Sequence, residues 1–150
     1  MPNQAIKDFS LQGTGGPFKL SALKNKFLIV YFYPKDNTPG CTTEGQQFRD
    51  LYLDFKKAGC EIIGISRDSL KSHINFKAKQ AFPFELLADE EELACNQFAV
   101  MKMKNMYGKQ VRGIERSTFL LDAHHAIVRE WRGVKVPGHV PEVLDFVKTL

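Results

Sequence analysis

Phe27-Leu28-Ile29-Val30-Tyr31-Phe32-Tyr33-Pro34-Lys35-Asp36-Asn37-Thr38-Pro39-Gly40-Cys41 is the stretch on which the fold turns. Its first seven residues are all apolar or aromatic. That run predicts a central strand covered on both faces, because a strand with one wet face alternates polar and apolar positions instead. Pro34 ends the run, and Lys35 to Gly40 reads as a loop. Phe48, Leu51, Tyr52 and Phe55 then recur at helical spacing until Gly59 supplies a stop, which predicts one long helix beginning near Cys41. Strand, loop and helix in that order put Cys41 beyond the carboxyl end of a strand, where sites gather in open α/β sheets.

Outward from this unit the pattern alternates. Glu61-Ile62-Ile63-Gly64-Ile65-Ser66 reads as a second buried strand, and Ser69 caps a helix with Leu70, Ile74, Phe76 and Ala78 at its apolar positions. Phe84 to Leu87 is a short third strand. Asp89 is an N-cap candidate for a helix whose buried side is Leu93, Ala94 and Phe98. Towards the N-terminus, Phe9-Ser10-Leu11 and Phe18-Lys19-Leu20 flank Gly13, Gly15, Gly16 and Pro17, which predicts a hairpin. Towards the C-terminus, Lys102 to Gly113 reads as a polar, methionine-containing loop. Ser117 to Asp122 and Ile127 to Trp131 form a hairpin through Ala123-His124-His125-Ala126, and Pro141 to Leu150 closes as a helix. The expected architecture is α/β and thioredoxin-like: a central mixed sheet flanked by helices, with an N-terminal β-hairpin, in one domain over residues 1–150. No repeat, linker or low-complexity segment interrupts it.

Composition narrows the class. A chain of 150 residues, 43% hydrophobic and 25% charged, has the size and balance of one globular unit around one core. Its most apolar stretch, Phe27 to Tyr33, is far short of the roughly 18 residues of a membrane span, so no membrane partner is expected. Met1 to Asp8 lacks the apolar core and cleavage site of a secretory signal, so the expected location is cytoplasmic. Three cysteines, Cys41, Cys60 and Cys95, are too few and odd in number for a disulfide framework, and suit a reducing compartment. The net charge is +4, but basic and acidic residues interleave, as in Asp54-Phe55-Lys56-Lys57, and no nucleic-acid role is expected. His124 and His125 are adjacent in a turn and point apart. They are read as solvent-facing, with no metal and no cofactor assigned. Trp131 and the phenylalanines are read as core, and Met101, Met103 and Met106 as cover for an apolar patch.

The chemistry concentrates at Cys41. A cysteine in the first turn of a helix meets unpaired backbone N–H groups and the positive end of the helix dipole, which favour an anion. There a thiol of ordinary pKa, about 8.5, turns into a nucleophile at neutral pH. Pro34 and Pro39 restrict the loop, and Gly40 lets the backbone approach a ligand.

Pro34, Thr38 and Cys41 stand as P-x-x-x-T-x-x-C, which resembles the peroxiredoxin signature. The run from Tyr31 to Thr42 is similar to the bacterioferritin comigratory protein (PrxQ) subfamily. The likeness extends through Gly64 to Asp68 and Leu87 to Glu90 to Arg116-Ser117-Thr118-Phe119-Leu120-Leu121-Asp122, nearly the whole chain. It implies a thiol-specific peroxidase for hydrogen peroxide and organic hydroperoxides, serving antioxidant defence. By the same resemblance Cys41 is the peroxidatic nucleophile, Thr38 hydrogen-bonds the peroxide, Pro34 shields the thiolate, and Arg116 is the active-site arginine. Glu44 matches the acid that orients Arg116, and equally suits a helix N-terminus.

The sequence departs from that subfamily where many members carry a resolving cysteine, five residues after the nucleophile. Here that residue is Gln46. Were the helix continuous, Cys60 would lie roughly 25 Å away, against the ~7 Å limit for a disulfide. Cys95 would resolve Cys41 only through local unwinding, and reads first as a buried thiol. The expectation is therefore a one-cysteine cycle completed by an external thiol, whether thioredoxin, glutaredoxin or a small molecule, in a monomer. The alternative is a peroxide sensor or holdase that uses Cys41 oxidation as a switch.

Overall fold

In the computed structural model, which describes residues 5–150, the apolar run becomes strand β3 (Phe27–Phe32). It is bonded on both sides, parallel to β4 (Cys60–Ser66) and antiparallel to β8 (Ser117–Asp122). Val30 thus lies opposite Ile63 on one side and Phe119 on the other. Past β4 come parallel β5 (Glu85–Ala88) and then antiparallel β1 (Ser10–Gly13) and β2 (Gly16–Lys19). Antiparallel β9 (Ile127–Arg132) closes the far edge, giving the order β2-β1-β5-β4-β3-β8-β9. Both expected hairpins are present. Met1–Gln4, part of the stretch read for a leader and of the 1–150 range, lie outside the described residues.

Alternation along β3 builds two cores. Ile29, Tyr31 and Tyr33 face one way, into a cluster with Phe48 of α1 (Pro39–Asp50), Phe55 of α2 (Tyr52–Lys57), Phe76 of α3 (Leu70–Gln80) and Val143 of α5 (His139–Lys148). Leu28, Val30 and Phe32 face the other way, towards Phe98, Val100, Ile114 and the inward residues Ala94 and Cys95 of α4 (Leu93–Gln97). Helix α1 is held to the sheet by ring stacking, Phe48 on Tyr31 at 4.6 Å and Tyr31 on Tyr33 at 5.5 Å.

Four local expectations change. The long helix divides at Leu51 (φ −103°, ψ 7°), although Leu51 N–H still donates to Gln47 O at 3.1 Å, and Cys60 opens β4 instead of extending a helix. On α3 the inward residues are His73 and Phe76, while Ile74 stands half-exposed; His73 turns inward because its partners Tyr33 and Asp36 are there. On α4, Leu93 is exposed. Glu92, in left-handed backbone (φ +61°), precedes that helix, and Asp89 caps it from further back by accepting from Leu93 N–H (2.8 Å) and Cys95 N–H (2.7 Å). The loop expected over Lys102 to Gly113 is a hairpin, β6 (Met101–Met106) and β7 (Lys109–Ile114), separate from the main sheet. Its turn, Tyr107-Gly108, has positive φ at both residues, the geometry of two-residue hairpin turns. Both faces of its outer part are exposed, so the sequence carries no period-2 apolar signal there.

Gly45 is the close approach on which the packing of α1 depends. A Cβ there would lie 2.4 Å from the ring of Phe82, which is buried, stacked on Phe84 at 5.1 Å and edge-on to Phe76 at 5.1 Å. Those two ring contacts oppose its retreat. Gly45→Ala gains about 1 kcal/mol of helix propensity and incurs a steric cost of about 1–3 kcal/mol. Urea unfolding should therefore show net destabilisation; a variant as stable as the parent would refute this packing argument.

Candidate active site

The loop between β3 and α1 is fixed by a buried polar network. Asp36 accepts from Tyr33 Oη (2.7 Å) and Ser72 Oγ (2.8 Å), and bonds His73 Nδ1 at 2.8 Å. Its own N–H donates to Asp68 Oδ2 at 2.9 Å, and Ser66 Oγ donates to the same oxygen at 2.5 Å. The loop is thereby tied to the end of β4 and the start of α3. Asp36, Asp68 and His73 bring ligating atoms within 4.8 Å of one another, but those atoms are engaged in these hydrogen bonds, and the cluster works as a strut. In sequence these residues carry no mark of a polar role, because the bonds that tie Asp36 to Asp68, Ser72 and His73 join segments more than 30 residues apart.

The strutted loop delivers Cys41 to the third position of α1, with Pro39 first and Thr38 as N-cap. Gly40 and Cys41 N–H have no intrahelical acceptor at these positions; the first helical bond is Thr42 N–H to Thr38 O at 2.9 Å. Thr38 does not cap with its side chain, and its hydroxyl donates to Lys35 O at 2.7 Å. Pro34 lies half-buried at the start of the loop.

Arg116, just before β8, brings the other half of the site. One guanidinium nitrogen, Nη1, donates to Glu44 Oε1 at 2.6 Å; the other, Nη2, donates to Cys41 Sγ at 3.4 Å. Cys41 and Glu44 are buried and Arg116 nearly so. Gly40 gives the guanidinium room, since a Cβ there would stand 3.1 Å from Nη2. Burial pushes the Glu44 carboxyl up to about 7, against the downward pull of Arg116; its second oxygen is buried without a hydrogen-bond partner among the described residues. Burial alone would lower Arg116, but Glu44 and Cys41 outweigh it and raise it. Arg116 is therefore in contact range of Gly40, Cys41 and Glu44, and the Cys41 contact spans 75 residues of sequence.

The other two thiols lie elsewhere. Cys60 shares the face of Cys41 but pairs with Phe27, the first residue of β3, at the opposite end of the strand. Burial pushes its thiol up to about 12. Cys95 is on the other face of the sheet, where burial, together with Asp89, pushes its thiol up.

Comparison with known proteins decides the family. The AhpC/TSA family model matches residues 2–130. The chain belongs to that family. It is 55% identical over 145 residues to peroxiredoxin Bcp of Xanthomonas campestris pv. campestris, covering 96% of this chain and 91% of the relative. Peroxiredoxin Bcp of Bacillus subtilis is 47% identical over 148 residues, covering 98% and 94%. Among solved structures, a cysteine-to-serine mutant of PrxQ from Xylella fastidiosa superposes with TM-score 0.94 at 45% identity, covering 99% of this chain and 96% of its own. The bacterioferritin comigratory protein of X. campestris, solved as trapped-intermediate and ligand complexes bearing on its alkyl peroxide reduction activity, gives 0.89 at 54% identity, covering 94% and 90%. The chain is thus a Bcp/PrxQ-type peroxiredoxin with the thioredoxin-like α/β fold, a thiol-dependent peroxidase that takes hydroperoxide as oxidant and a thiol as reductant. No helix among the described residues is long and apolar enough to cross a membrane.

The raised Glu44 carboxyl has a measurable sign. From its ordinary 4.5 up to about 7, the folded chain holds a proton that the unfolded chain has released. This group therefore favours folding at acid pH and loses that contribution as pH rises through about 7. Buried His139, pushed down to about 4, acts in the opposite sense between about 4 and 6.5, so comparison of two variants isolates Glu44. Between pH 5 and 7.5, wild type should lose on the order of 2 kcal/mol relative to Glu44→Gln in urea unfolding. Parallel pH profiles for the two proteins would contradict the burial argument.

Proposed function

We propose that Cys41 is the peroxidatic nucleophile of this peroxidase and that it turns over by a one-cysteine cycle, in a monomeric single-domain protein of the cytoplasm. The observation that carries the reading is the Arg116 guanidinium, shared between Glu44 Oε1 and Cys41 Sγ. The Cys41 thiolate attacks one peroxide oxygen, the O–O bond breaks, and the departing oxygen takes a proton to leave as water or an alcohol, giving Cys41 sulfenic acid. Negative charge moves from sulfur to the departing oxygen. Donors fixed beforehand stabilise that movement without reorganising: Arg116 and the free N–H groups of Gly40 and Cys41. The Thr38 hydrogen is committed to Lys35 O, so its oxygen offers the peroxide O–H an acceptor. Pro34 screens the loop side from water. Glu44 is a positioning residue that acts through Arg116.

Regeneration then needs an external thiol. Its sulfur displaces the sulfenic oxygen as water to form a mixed disulfide, and a second thiolate attacks that bond, releasing Cys41 thiolate and a disulfide of the reductant. Two features support this over internal resolution. Cys95 is screened by the sheet itself, and Cys60 is a strand length of about 20 Å distant. Both thiols are pushed up by burial, which leaves little thiolate to attack. Because Cys41 is itself buried, a bulky thiol requires the first turn of α1 to open after oxidation.

Intact-mass analysis after one equivalent of peroxide should show sulfenic acid, trapped by a nucleophilic cyclic 1,3-diketone while a thiol-blocking reagent caps the remaining thiols, in wild type and in a Cys60→Ser/Cys95→Ser double variant alike. An internal disulfide as the main product would overturn the cycle. Cys41→Ser should abolish peroxide consumption, and Arg116→Met should slow Cys41 oxidation by about 10²–10³-fold. Oxidation of Cys41 without turnover in any thiol system would favour the sensor reading instead.

A further inference from the structure

The β6–β7 hairpin supplies none of the residues placed in the proposed peroxidase chemistry. It is a two-stranded ribbon outside the main sheet, and such ribbons are marginally stable alone. Its base is pinned, since Glu92 pairs with both Arg67 (3.1 Å) and Arg112. Residues 101–114 contain Lys102, Lys104, Lys109 and Arg112 and no acidic residue, and this alone equals the net charge of +4; the rest of the chain is balanced. The same hairpin holds half of the large apolar side chains that stand exposed among the described residues: Met103 (62%), Met106 (51%), Tyr107 (100%) and Val111 (38%). Apolar and cationic surface thus coincide. An exposed apolar patch rimmed by polar groups marks an interaction site, and methionine suits a surface that adapts to a partner.

The register selects one face. Lys104 lies opposite Val111 and Met106 opposite Lys109, so Lys102, Lys104, Met106, Lys109 and Val111 share a side. Lys104 links this side to the site. Its amine bonds Ile114 O, two residues before Arg116. We propose that this face of the hairpin docks the protein thiol that regenerates Cys41, and that the reductant presents an acidic, apolar-centred rim around its own sulfur. The proposal rests on the one-cysteine cycle, in which the second substrate must be steered to a buried atom. A nucleic acid is the weaker occupant, because one aromatic ring at a turn is not the series of stacking platforms that single strands require.

The test uses the full chain with an acidic thioredoxin and, separately, an acidic glutaredoxin, each held reduced, against dithiothreitol as the small-thiol control. For at least one protein donor, wild-type kcat/KM should fall as salt rises, and Lys102→Glu/Lys109→Glu should lower it roughly ten-fold or more at low salt. Lys102→Gln/Lys109→Gln should give an intermediate loss. Dithiothreitol turnover and the rate of Cys41 oxidation by peroxide should stay unchanged in both variants, which also reports that they fold. Unchanged kcat/KM with both protein donors, or no turnover of wild type by either while dithiothreitol works, overturns the docking proposal. So does oligonucleotide binding that these variants abolish while protein-thiol kinetics stay intact. Failure of every thiol, dithiothreitol included, would instead count against the catalytic cycle itself.

Discussion

A cation shared between a buried carboxylate and a buried sulfur is the interaction on which the rest of the structure depends. Arg116 is brought in by β8, which pairs with β3, and Cys41 by α1, which packs on the face of β3, so the two groups meet only if β8 is correctly registered against β3. A carboxylate, a guanidinium and a sulfur withdrawn from water are costly unless each finds partners. Glu44 registers that cost in its raised carboxyl. On the proposed reading, the arrangement provides a donor set already oriented when peroxide arrives.

Positioning begins further out. The Asp36 network fixes the loop against β4 and α3, so that Thr38 and the first turn of α1 are held by bonds that involve no reacting atom. Gly40 and Gly45 act in the same sense, by leaving out a side chain. One clears the guanidinium, the other lets the ring of Phe82 seat against α1. The preference of this loop for one geometry therefore comes from packing and buried hydrogen bonds as much as from its prolines.

The sheet also divides the thiols. A strand alternates sides at every residue, so the two cores are separated by β3 itself, and a cysteine from α4 cannot approach one from α1 without dismantling the sheet. Burial then keeps Cys60 and Cys95 protonated. The proposed one-cysteine cycle draws on this architecture, with Gln46 as its sequence mark. Gln46 is instead bonded to Gln80 of α3 at 2.9 Å, joining the two helices.

Local pattern alone specified the elements whose side chains have a clear inside and outside: β3 as an unbroken apolar run, the two hairpins of the main sheet, the Ser69 cap, and a cysteine in a helical first turn. Resemblance to a family motif added Thr38, Arg116 and Glu44, which periodicity leaves indistinct, because an arginine before a strand reads as surface charge until its partner is known. Only the tertiary structure decided the remainder. The β6–β7 hairpin was illegible because a ribbon exposed on both faces writes no alternation. The inward turn of His73 was illegible because its partners lie some 40 residues away. The face on which each cysteine sits depends on which way the chain crosses the sheet. Short-range chemistry is written in consecutive residues, whereas burial and partnership are properties of chain segments brought together by the fold.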